Sequence, residues 1–326
     1  MSAPGEFELI RRFFTRPAAA GGANPGVALG VGDDAALLEL PPGMQLVAAV
    51  DTLVEGRHFL PHSAPRSIGH RALAVNLSDL AAMGATPAWA TLALTLPNAD
   101  TAWLQGFAAG LLELADAHQV ALVGGDTTRG PLTISVQILG YVPRGTALLR
   151  SGAHSGDLIA VTGSLGDAGA GLFHAQQPPA RHAEPAIRHL LARFEYPTPR
   201  VAMGLAARGI ASAAMDLSDG LLGDLPKLAQ ASHLGADVAL EKLPLSPQLR
   251  AVAAEPQARD WALGAGDDYE LLFTVAPPRY VELQAAARRL NLTLSIIGEM
   301  RAAAGISWLL NGAQFAPRSS GYDHFG

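Results

Sequence analysis

Apolar and polar positions follow two periods along the chain, one near 3.6 residues and one near two, which are typical of helices and strands respectively. The spacing predicts an amphipathic helix over 6–16, and the apolar run 47–50 predicts a buried strand that ends at Asp51. The other elements predicted in the first half are helices over 68–83 and 101–118 and strands over 88–96, 120–123 and 133–142.

The second half repeats this alternation. Its predicted elements are strands over 158–161, 213–216, 270–275 and 292–297 and helices over 199–208, 219–233 and 277–289. The stretch 174–188, which contains Gln-Gln-Pro-Pro, predicts a mobile loop. Alternating strands and helices indicate an α/β (α+β) fold with two layers in each half. We place the boundary between a first domain, 1–147, and a second, 148–326.

Composition narrows the class of protein. The chain has 326 residues, of which 49% are hydrophobic and 16% charged, so it can bury a large core. Its net charge of −6 comes without any cluster of Lys and Arg, which speaks against a nucleic-acid partner. The absence of cysteine excludes disulfides, thiolate metal sites and cysteine nucleophiles. Without a signal-like or membrane-spanning apolar run, we expect a soluble cytoplasmic protein with no membrane partner.

Most aspartates stand at strand ends or beside glycines instead of on polar helix faces. The segments are 32–34, 51–52, 78–79, 125–128, 216–219 and 266–268. Any single one of these aspartates is best explained as a helix cap or a turn residue. Six such segments favour a different explanation, because converging carboxylates repel one another unless a cation lies between them. Oxygen ligands without His or Cys suit Mg²⁺, which also binds substrate phosphates, so the pattern predicts a metal–phosphate site.

Two glycine-rich segments follow predicted strands. Residues 124–130 could bring backbone N–H groups close to a phosphate, with Arg129 adding charge, and residues 161–169 could present a helix N-terminus to an anion. Glycine-rich turns after strands are usually only turns. No phosphate-loop lysine motif, no kinase glycine motif and no Gly-x-Ser-x-Gly elbow occurs in the sequence. If a nucleotide binds, aspartate-held Mg²⁺ must compensate its charge.

Seven motifs follow one another along nearly the whole chain, at 30–36, 51–59, 74–85, 124–130, 215–221, 268–271 and 321–325. Together they resemble the thiamine-monophosphate kinase family. The segment 74–85 alone marks the wider superfamily of aminoimidazole ribonucleotide synthetase. The Asp-Thr-Leu-Val-Glu-Gly-x-His-Phe segment and the Gly-Tyr-Asp-His-Phe tail are more specific to the kinase.

The resemblance implies an aminoimidazole ribonucleotide synthetase-like fold, with an N-terminal ATP- and Mg²⁺-binding sheet domain that pairs across a homodimer. The C-terminal α/β domain would complete the nucleotide and substrate site. The implied reaction is phosphorylation of thiamine monophosphate by ATP to thiamine diphosphate, the last step of coenzyme biosynthesis, with several Mg²⁺ ions.

The residues that this resemblance implicates are carried over by motif. Metal ligands would be Asp34, Asp51, Asp79, Asp126, Asp216 and Asp219. ATP contacts would be Gly125, Asp126, Arg150 and Ser218, and substrate contacts His58, Asp267 and Tyr322. Asp126 and Asp51 would be the catalytic pair.

Two departures from the family pattern stand out. Ala49-Val50 replaces hydroxyl residues found in many relatives, so one metal would lose a side-chain ligand, and Asp267 stands where relatives often carry Glu. Zero cysteines speak against the selenophosphate synthetase and hydrogenase-maturation members of the superfamily. The alternatives left open are aminoimidazole ribonucleotide synthetase and a catalytically inactive nucleotide-binding relative.

Overall fold

A computed structural model describes residues 5–15, 26–318 and 321, and in it the chain divides into two units. The first unit takes the chain up to Gly145 except for Ala81–Gly84, which belongs to the second unit together with Thr146–Gly326. The mixed α/β content follows the alternation of strand and helix periods in the sequence.

The first unit is built on a four-stranded sheet. Its strands, in spatial order, are β3 (Met44–Val54), β6 (Thr133–Pro143), β4 (Thr86–Leu96) and β5 (Ala121–Arg129). The pairs β3–β6 and β6–β4 are antiparallel, whereas β4–β5 is parallel. The other elements are α1 (Glu6–Leu9) with a π-helical turn (Ile10–Phe14), a small two-stranded sheet of β1 (Val27–Leu29) and β2 (Leu37–Leu38), and helices α2 (Pro65–Ala82) and α3 (Thr101–Ala117).

Helices α2 and α3 pack closely because glycine stands where they approach each other. A Cβ added to Gly69 would lie 2.0 Å from the carbonyl oxygen of Phe107, and one added to Gly110 would lie 1.9 Å from that of Arg66. Asp100 caps α3 by accepting N–H bonds from Ala102 and Trp103. The predicted helices at 68–83 and 101–118 are thereby confirmed, with small shifts at their ends.

Residues 47–50 do form part of a strand, but the prediction that this strand is buried is wrong. Strand β3 is an edge strand with one open face, on which the side chain of Val50 is 62% exposed and that of Leu46 is 48% exposed. Thr52 lies on this same face because alternate side chains of a strand point to one side, and its Oγ1 is 2.7 Å from Oγ of Ser135 on β6. A run of apolar residues is ambiguous between a buried strand and an edge strand whose apolar face is uncovered in one chain.

The second unit is a seven-stranded sheet with helices around it. Its strands, in spatial order, are β13 (Ala313–Gln314), β12 (Gly305–Leu310), β9 (Gly235–Ala239), β11 (Leu294–Arg301), β7 (Leu158–Thr162), β10 (Leu271–Val275) and β8 (Ala213–Asp216). Only β12–β9 is parallel among these described pairs. The helices are α4 (Asp167–Ala175), α5 (Pro185–Glu195), α6 (Val201–Ala207), α7 (Leu221–Ala231), α8 (Pro247–Val252), α9 (Glu255–Gly264) and α10 (Tyr280–Arg289).

The core of the second unit lies between the sheet and its helices. Ile159 and Val161 of β7 and Leu225 and Leu228 of α7 belong to one cluster of buried side chains. The predicted mobile loop 174–188 is wrong at both ends, because 174–175 complete α4 and 185–188 begin α5. Pro185 stands at the first turn of α5, where a missing N–H costs nothing, so proline starts this helix instead of preventing it. Nowhere in 5–15, 26–318 or 321 is a helix long and apolar enough to span a membrane.

Candidate active site

A cavity of about 950 Å³ lies in the first unit at the β5 edge of its sheet. Three carboxylates line it, those of Asp33, Asp34 and Asp126, together with the backbone of Gly124 and Gly125. All three aspartates are exposed to solvent. The structure therefore brings together three of the residues singled out in the sequence, namely Asp34, Gly125 and Asp126.

The expected glycine loop at 124–130 is not a loop: residues up to Arg129 form the edge strand β5. Gly125 has φ +148° and pairs with Leu92, and a Cβ there would lie 1.9 Å from the carbonyl oxygen of Leu92. Only glycine fits at this position. In the described chain β5 has a strand neighbour on one side only, so its other edge can offer backbone N–H groups to a phosphate.

The charge of this cavity bears on which ligands it can hold. Its lining contains one cationic side chain, that of Arg11, against the three carboxylates. Across the part of the chain that the structure describes, no three His, Asp or Glu side chains lie close enough together to hold a metal ion. Mg²⁺ fits such a set, because it is commonly bound by one or two carboxylates and completes its octahedral shell with water and substrate phosphates.

At the opposite edge of the same sheet, Asp51 is tied to helix α2. Its backbone N–H donates to Oδ1 of the fully buried Asn76 over 3.1 Å, and Nδ2 of Asn76 donates to the carbonyl oxygen of Ala72. Asp79 lies three residues after Asn76, on the same side of α2. Nδ1 of the half-buried His58 accepts the N–H of Val54, which places the proton of the neutral ring on Nε2.

The register separates Asp51 from Asp126 within one chain. Asp126 pairs with Ala93, Ala93 with Ser135, and Ser135 with Thr52, so one row across four strands joins Asp126 to the residue after Asp51. Three strand spacings correspond to about 14 Å. Successive residues point to opposite faces, so the two aspartates lie at opposite edges and on opposite faces of the sheet.

In the second unit, the acidic segment after β8 pairs with residues 267–270. The N–H groups of Asp267 and Tyr269 donate to the carbonyl oxygens of Ser218 and Leu217, respectively, each over 2.9 Å. In return, the N–H of Leu217 donates to the backbone carbonyl oxygen of Glu270. Asp267 and Tyr269 have φ of +62° and +49°, in the left-handed region. Asp216, Ser218 and Asp267 are thus brought together by backbone hydrogen bonds that extend the β8–β10 ladder.

The carboxylate of Glu270 is fully buried between two arginines. Its Oε1 accepts from Arg193 over 3.0 Å and also from Arg200, whose Nε donates to Oε2 over 2.7 Å. Thr162 donates its hydroxyl to Oε2 over 2.7 Å. Arg193 also donates to the carbonyl oxygen of Asp268 over 3.1 Å. This network holds the segment that carries Asp267 from the side of helix α5.

The second glycine segment does precede a helix, but the group at the helix N-terminus is a carboxyl of the chain itself. Oδ2 of Asp268 accepts the N–H of Gly166 over 2.7 Å, and Oδ1 accepts that of Ala168 over 3.3 Å. Burial raises the pKa of the Asp268 carboxyl to about 8, although these N–H groups and the charge of Arg193 act in the opposite direction. The N–H groups that could have received an external anion at the N-terminus of α4 are therefore already bound by Asp268.

The remaining predicted residues are placed as follows. Arg150 is exposed, and its carbonyl oxygen accepts the hydroxyl of Ser232 over 2.7 Å. Asp219 lies just before α7 and contacts Lys227. Tyr322 lies outside the described residues.

The sequence did not single out four residues that hold the candidate site in place, namely Asn76, Arg193, Arg200 and Glu270. Glu270 directly precedes a strand of five buried residues, and a charge in that position was the available signal.

Family models match both units. The model for the AIR synthase related protein N-terminal domain matches residues 32–142, and the model for the C-terminal domain matches residues 154–309. The thiamine-monophosphate kinase of Salmonella typhimurium is 46% identical over 322 residues, which cover 98% of both chains. That of Bacillus subtilis is 34% identical and covers 98% of this chain and 99% of its own.

This chain belongs to the thiamine-monophosphate kinase family. Solved structures agree with that membership. The thiamine-monophosphate kinase from Stenotrophomonas maltophilia superposes with a TM-score of 0.84 at 46% identity and covers 89% of this chain and 93% of its own. The structure of AaThiL complexed with AMPPCP and TMP has a TM-score of 0.76 at 31% identity, with coverages of 88% and 89%.

More distant structures share only the fold of this kinase family. A hydrogenase maturation protein, HypE of E. coli, reaches a TM-score of 0.73 at 21% identity and covers 96% of this chain. The kinase-family relatives reach 46% identity over 98% of this chain, so the aminoimidazole ribonucleotide synthetase alternative is not favoured.

Proposed function

We propose that this chain transfers the γ-phosphoryl group of ATP to the phosphate of thiamine monophosphate, giving thiamine diphosphate and ADP. The observation that carries the proposal is the β5 edge, where Gly125 and Asp126 face a cavity that also holds Asp34. The relatives named thiamine-monophosphate kinase, and the related structure complexed with AMPPCP and TMP, support the choice of both substrates. A cytoplasmic location accords with ATP as co-substrate.

Each unit contributes its own residues to this proposal. In the first unit, Gly125 and Asp126 contact ATP, His58 contacts the thiamine phosphate, and Asp126 and Asp51 are the catalytic pair. In the second unit, Arg150 and Ser218 contact ATP, and Asp267 contacts the thiamine phosphate, as does Tyr322. Mg²⁺ ions would be held by Asp34, Asp51, Asp79, Asp126, Asp216 and Asp219, and when bound they supply the positive charge that lets two phosphates approach.

The reaction needs no general base from the protein. The second pKa of a phosphate monoester is about 6, so the acceptor oxygen is already largely ionised at neutral pH. This oxygen attacks the γ-phosphorus in line, the bond to the β–γ bridging oxygen breaks, and ADP leaves with that oxygen. The protein must orient the two phosphates and hold charge near them, which explains a site rich in aspartates. Free thiamine presents a hydroxyl that would need a base, so we expect it not to be a substrate.

We also propose that the chain acts as a homodimer. In a single chain Asp51 and Asp126 lie at opposite edges of the sheet, about 14 Å apart by strand spacing. The open face, on which Asp126 lies, also carries the exposed apolar side chains of Leu46 and Val50. A second copy that covers this face would bury apolar surface, and its β3 edge, which carries Asp51, could then lie beside the β5 edge that carries Asp126.

Complementation tests the shared site. The Asp51→Ala and Asp126→Ala proteins are each expected to be inactive. After they are mixed under conditions that exchange subunits, half of the dimers contain one chain of each kind, and each of these mixed dimers has one intact site of two. Activity should therefore return to about a quarter of that of the wild type. Mixtures that stay inactive although labelled subunits have exchanged would contradict the shared site.

The dimer itself is tested by Val50→Glu, which places a charge on the exposed apolar face of β3. This change should shift the mass measured by light scattering towards that of a monomer.

Mass spectrometry tests the reaction itself. Purified protein is incubated with ATP, Mg²⁺ and thiamine monophosphate, and in parallel with free thiamine. Thiamine diphosphate and ADP are expected from the monophosphate alone. If ATP binds but no product forms with any acceptor, the inactive nucleotide-binding alternative is correct and the Ala49-Val50 departure becomes the first position to restore.

A further inference from the structure

The ammonium group of Lys227 contacts the carboxylates of both Asp219 and Asp224. Its Nζ is 2.5 Å from Oδ2 of Asp219 and 3.0 Å from Oδ1 of Asp224. The other oxygen of Asp224, Oδ2, accepts the backbone N–H of Asp219 over 2.8 Å. The Asp224 side chain is almost fully buried, whereas those of Asp219 and Lys227 are 27% and 45% exposed. The partly exposed ammonium group of Lys227 thus bridges the two carboxylates.

The first turn of α7 produces this arrangement. Asp224 and Lys227 are three residues apart, so they lie on the same side of the helix. The N–H of Asp224 donates to the carbonyl oxygen of Gly220 over 2.9 Å, which fixes the start of the helix immediately after Asp219. A lysine is unusual in this protein: the sequence contains only two, and Lys242 is the other.

The local balance of charge gives Lys227 a role. Residues 216–227 contain three aspartates, Asp216, Asp219 and Asp224, and Lys227 is the single basic residue among them. Without it the segment that supplies metal ligands would carry three negative charges with no cation in the same stretch of chain. An ammonium group is a compact point charge with three donors, so it can satisfy two carboxylates simultaneously.

Lys227 and a divalent cation cannot occupy the same place. Mg²⁺ needs its oxygen ligands at about 2.0–2.1 Å in near-octahedral geometry, whereas the ammonium already sits within hydrogen-bonding distance of Asp219. A metal that binds Asp219 must displace Nζ or bind beside its positive charge. We propose that Lys227 is the resident counter-ion of Asp219 and lowers the affinity of that carboxylate for divalent metal. This inference rests on the proposed function, under which Asp219 is a metal ligand.

The test measures Mn²⁺ binding directly, by the loss of the free Mn²⁺ signal in electron paramagnetic resonance, with Mg²⁺ as competitor. Lys227→Met keeps the length of the side chain and removes its charge, Lys227→Arg keeps the charge, and Lys242→Met is the matched control. We expect Lys227→Met to bind one Mn²⁺ about tenfold more tightly than wild type. Lys227→Arg and Lys242→Met should bind like wild type.

The double variant Lys227→Met/Asp219→Asn ties the gain to Asp219, because it should lose the added affinity. Circular dichroism confirms that each variant is folded. If Lys227→Met and wild type share one binding isotherm while wild type phosphorylates thiamine monophosphate, the role of Lys227 is overturned and the proposed function stands. If wild type binds no Mn²⁺ with or without ATP, the metal-dependent function fails and this inference fails with it.

Discussion

The carboxylate of Asp268 accepts the backbone N–H of Gly166 over 2.7 Å, although the two residues are 102 positions apart in the chain. This contact joins the left-handed segment around Asp267 to the first turn of α4. The positive end of a helix favours a negative charge, yet complete burial disfavours it. Burial dominates, so the pKa of the Asp268 carboxyl is raised to about 8.

The raised pKa predicts how stability depends on pH. Between the ordinary value of 3.8 and about 8, the folded protein keeps a proton on Asp268 that the unfolded chain releases. The free energy of unfolding should therefore fall as pH rises through this interval. Asp268→Asn, which mimics the neutral acid, should show a smaller fall, because the carboxyl of Asp224, whose pKa burial raises to about 6, still contributes. Urea unfolding of both proteins at pH 5, 7 and 9 checks it. Parallel curves for the two proteins would show that Asp268 does not titrate in this range.

The buried cluster around Glu270 makes a prediction about stability. Glu270→Gln leaves Arg193 and Arg200, whose side chains are only 13% and 20% exposed, without their negative partner. Breaking a buried ion pair in this way typically costs about 3–5 kcal/mol, so the urea midpoint of the second unit should drop sharply. The control is Arg181→Ala, which removes an exposed pair with Glu184 and should leave the midpoint unchanged. Equal effects of both changes would rule out the special role of the buried cluster.

Asp126→Ala should abolish turnover while the fold stays intact. The side chain is exposed in the cavity, so its removal leaves no void, but it takes away a carboxylate that the proposed function places beside the phosphates. We expect kcat to fall by at least about 10³-fold with an unchanged thermal transition. Asp116→Ala, which removes an exposed aspartate from α3, is the control and should be active. Rates close to wild type at saturating Mg²⁺ would remove Asp126 from the site.

Two adjacent glycines of β5 should differ in their tolerance of alanine. A Cβ at Gly125 would lie 1.9 Å from the carbonyl oxygen of Leu92, whereas one at Gly124 would lie 3.9 Å from its nearest neighbour, Cγ2 of Thr91. Gly125→Ala should lower Tm by about 5 °C or more and abolish ATP binding, because the strand must move away from β4. Gly124→Ala should leave Tm unchanged. A stable Gly125→Ala protein with normal ATP affinity would contradict this account of β5.

Local patterns in the sequence determine many of the elements and point to the chemistry. Helix α3 and strand β6 follow from periodicity, because buried positions alternate with more exposed ones along each of them. Aspartates at strand ends and beside glycines indicated a metal–phosphate site, since their side chains are short and their positions recur. The order of the motifs indicated the family that the comparisons confirm.

Long-range contacts decided the rest. Pairing between distant segments makes residues 124–129 an edge strand and places Asp51 and Asp126 at opposite edges of the sheet. It also places the carboxyl of Asp268 at the N-terminus of α4. So does the choice of Arg193 and Arg200 as partners of Glu270. Periodicity reports which face of an element is apolar. The partner of a buried charge is chosen by the three-dimensional packing, because many arrangements satisfy the same local pattern and few of them also give the buried charges their partners.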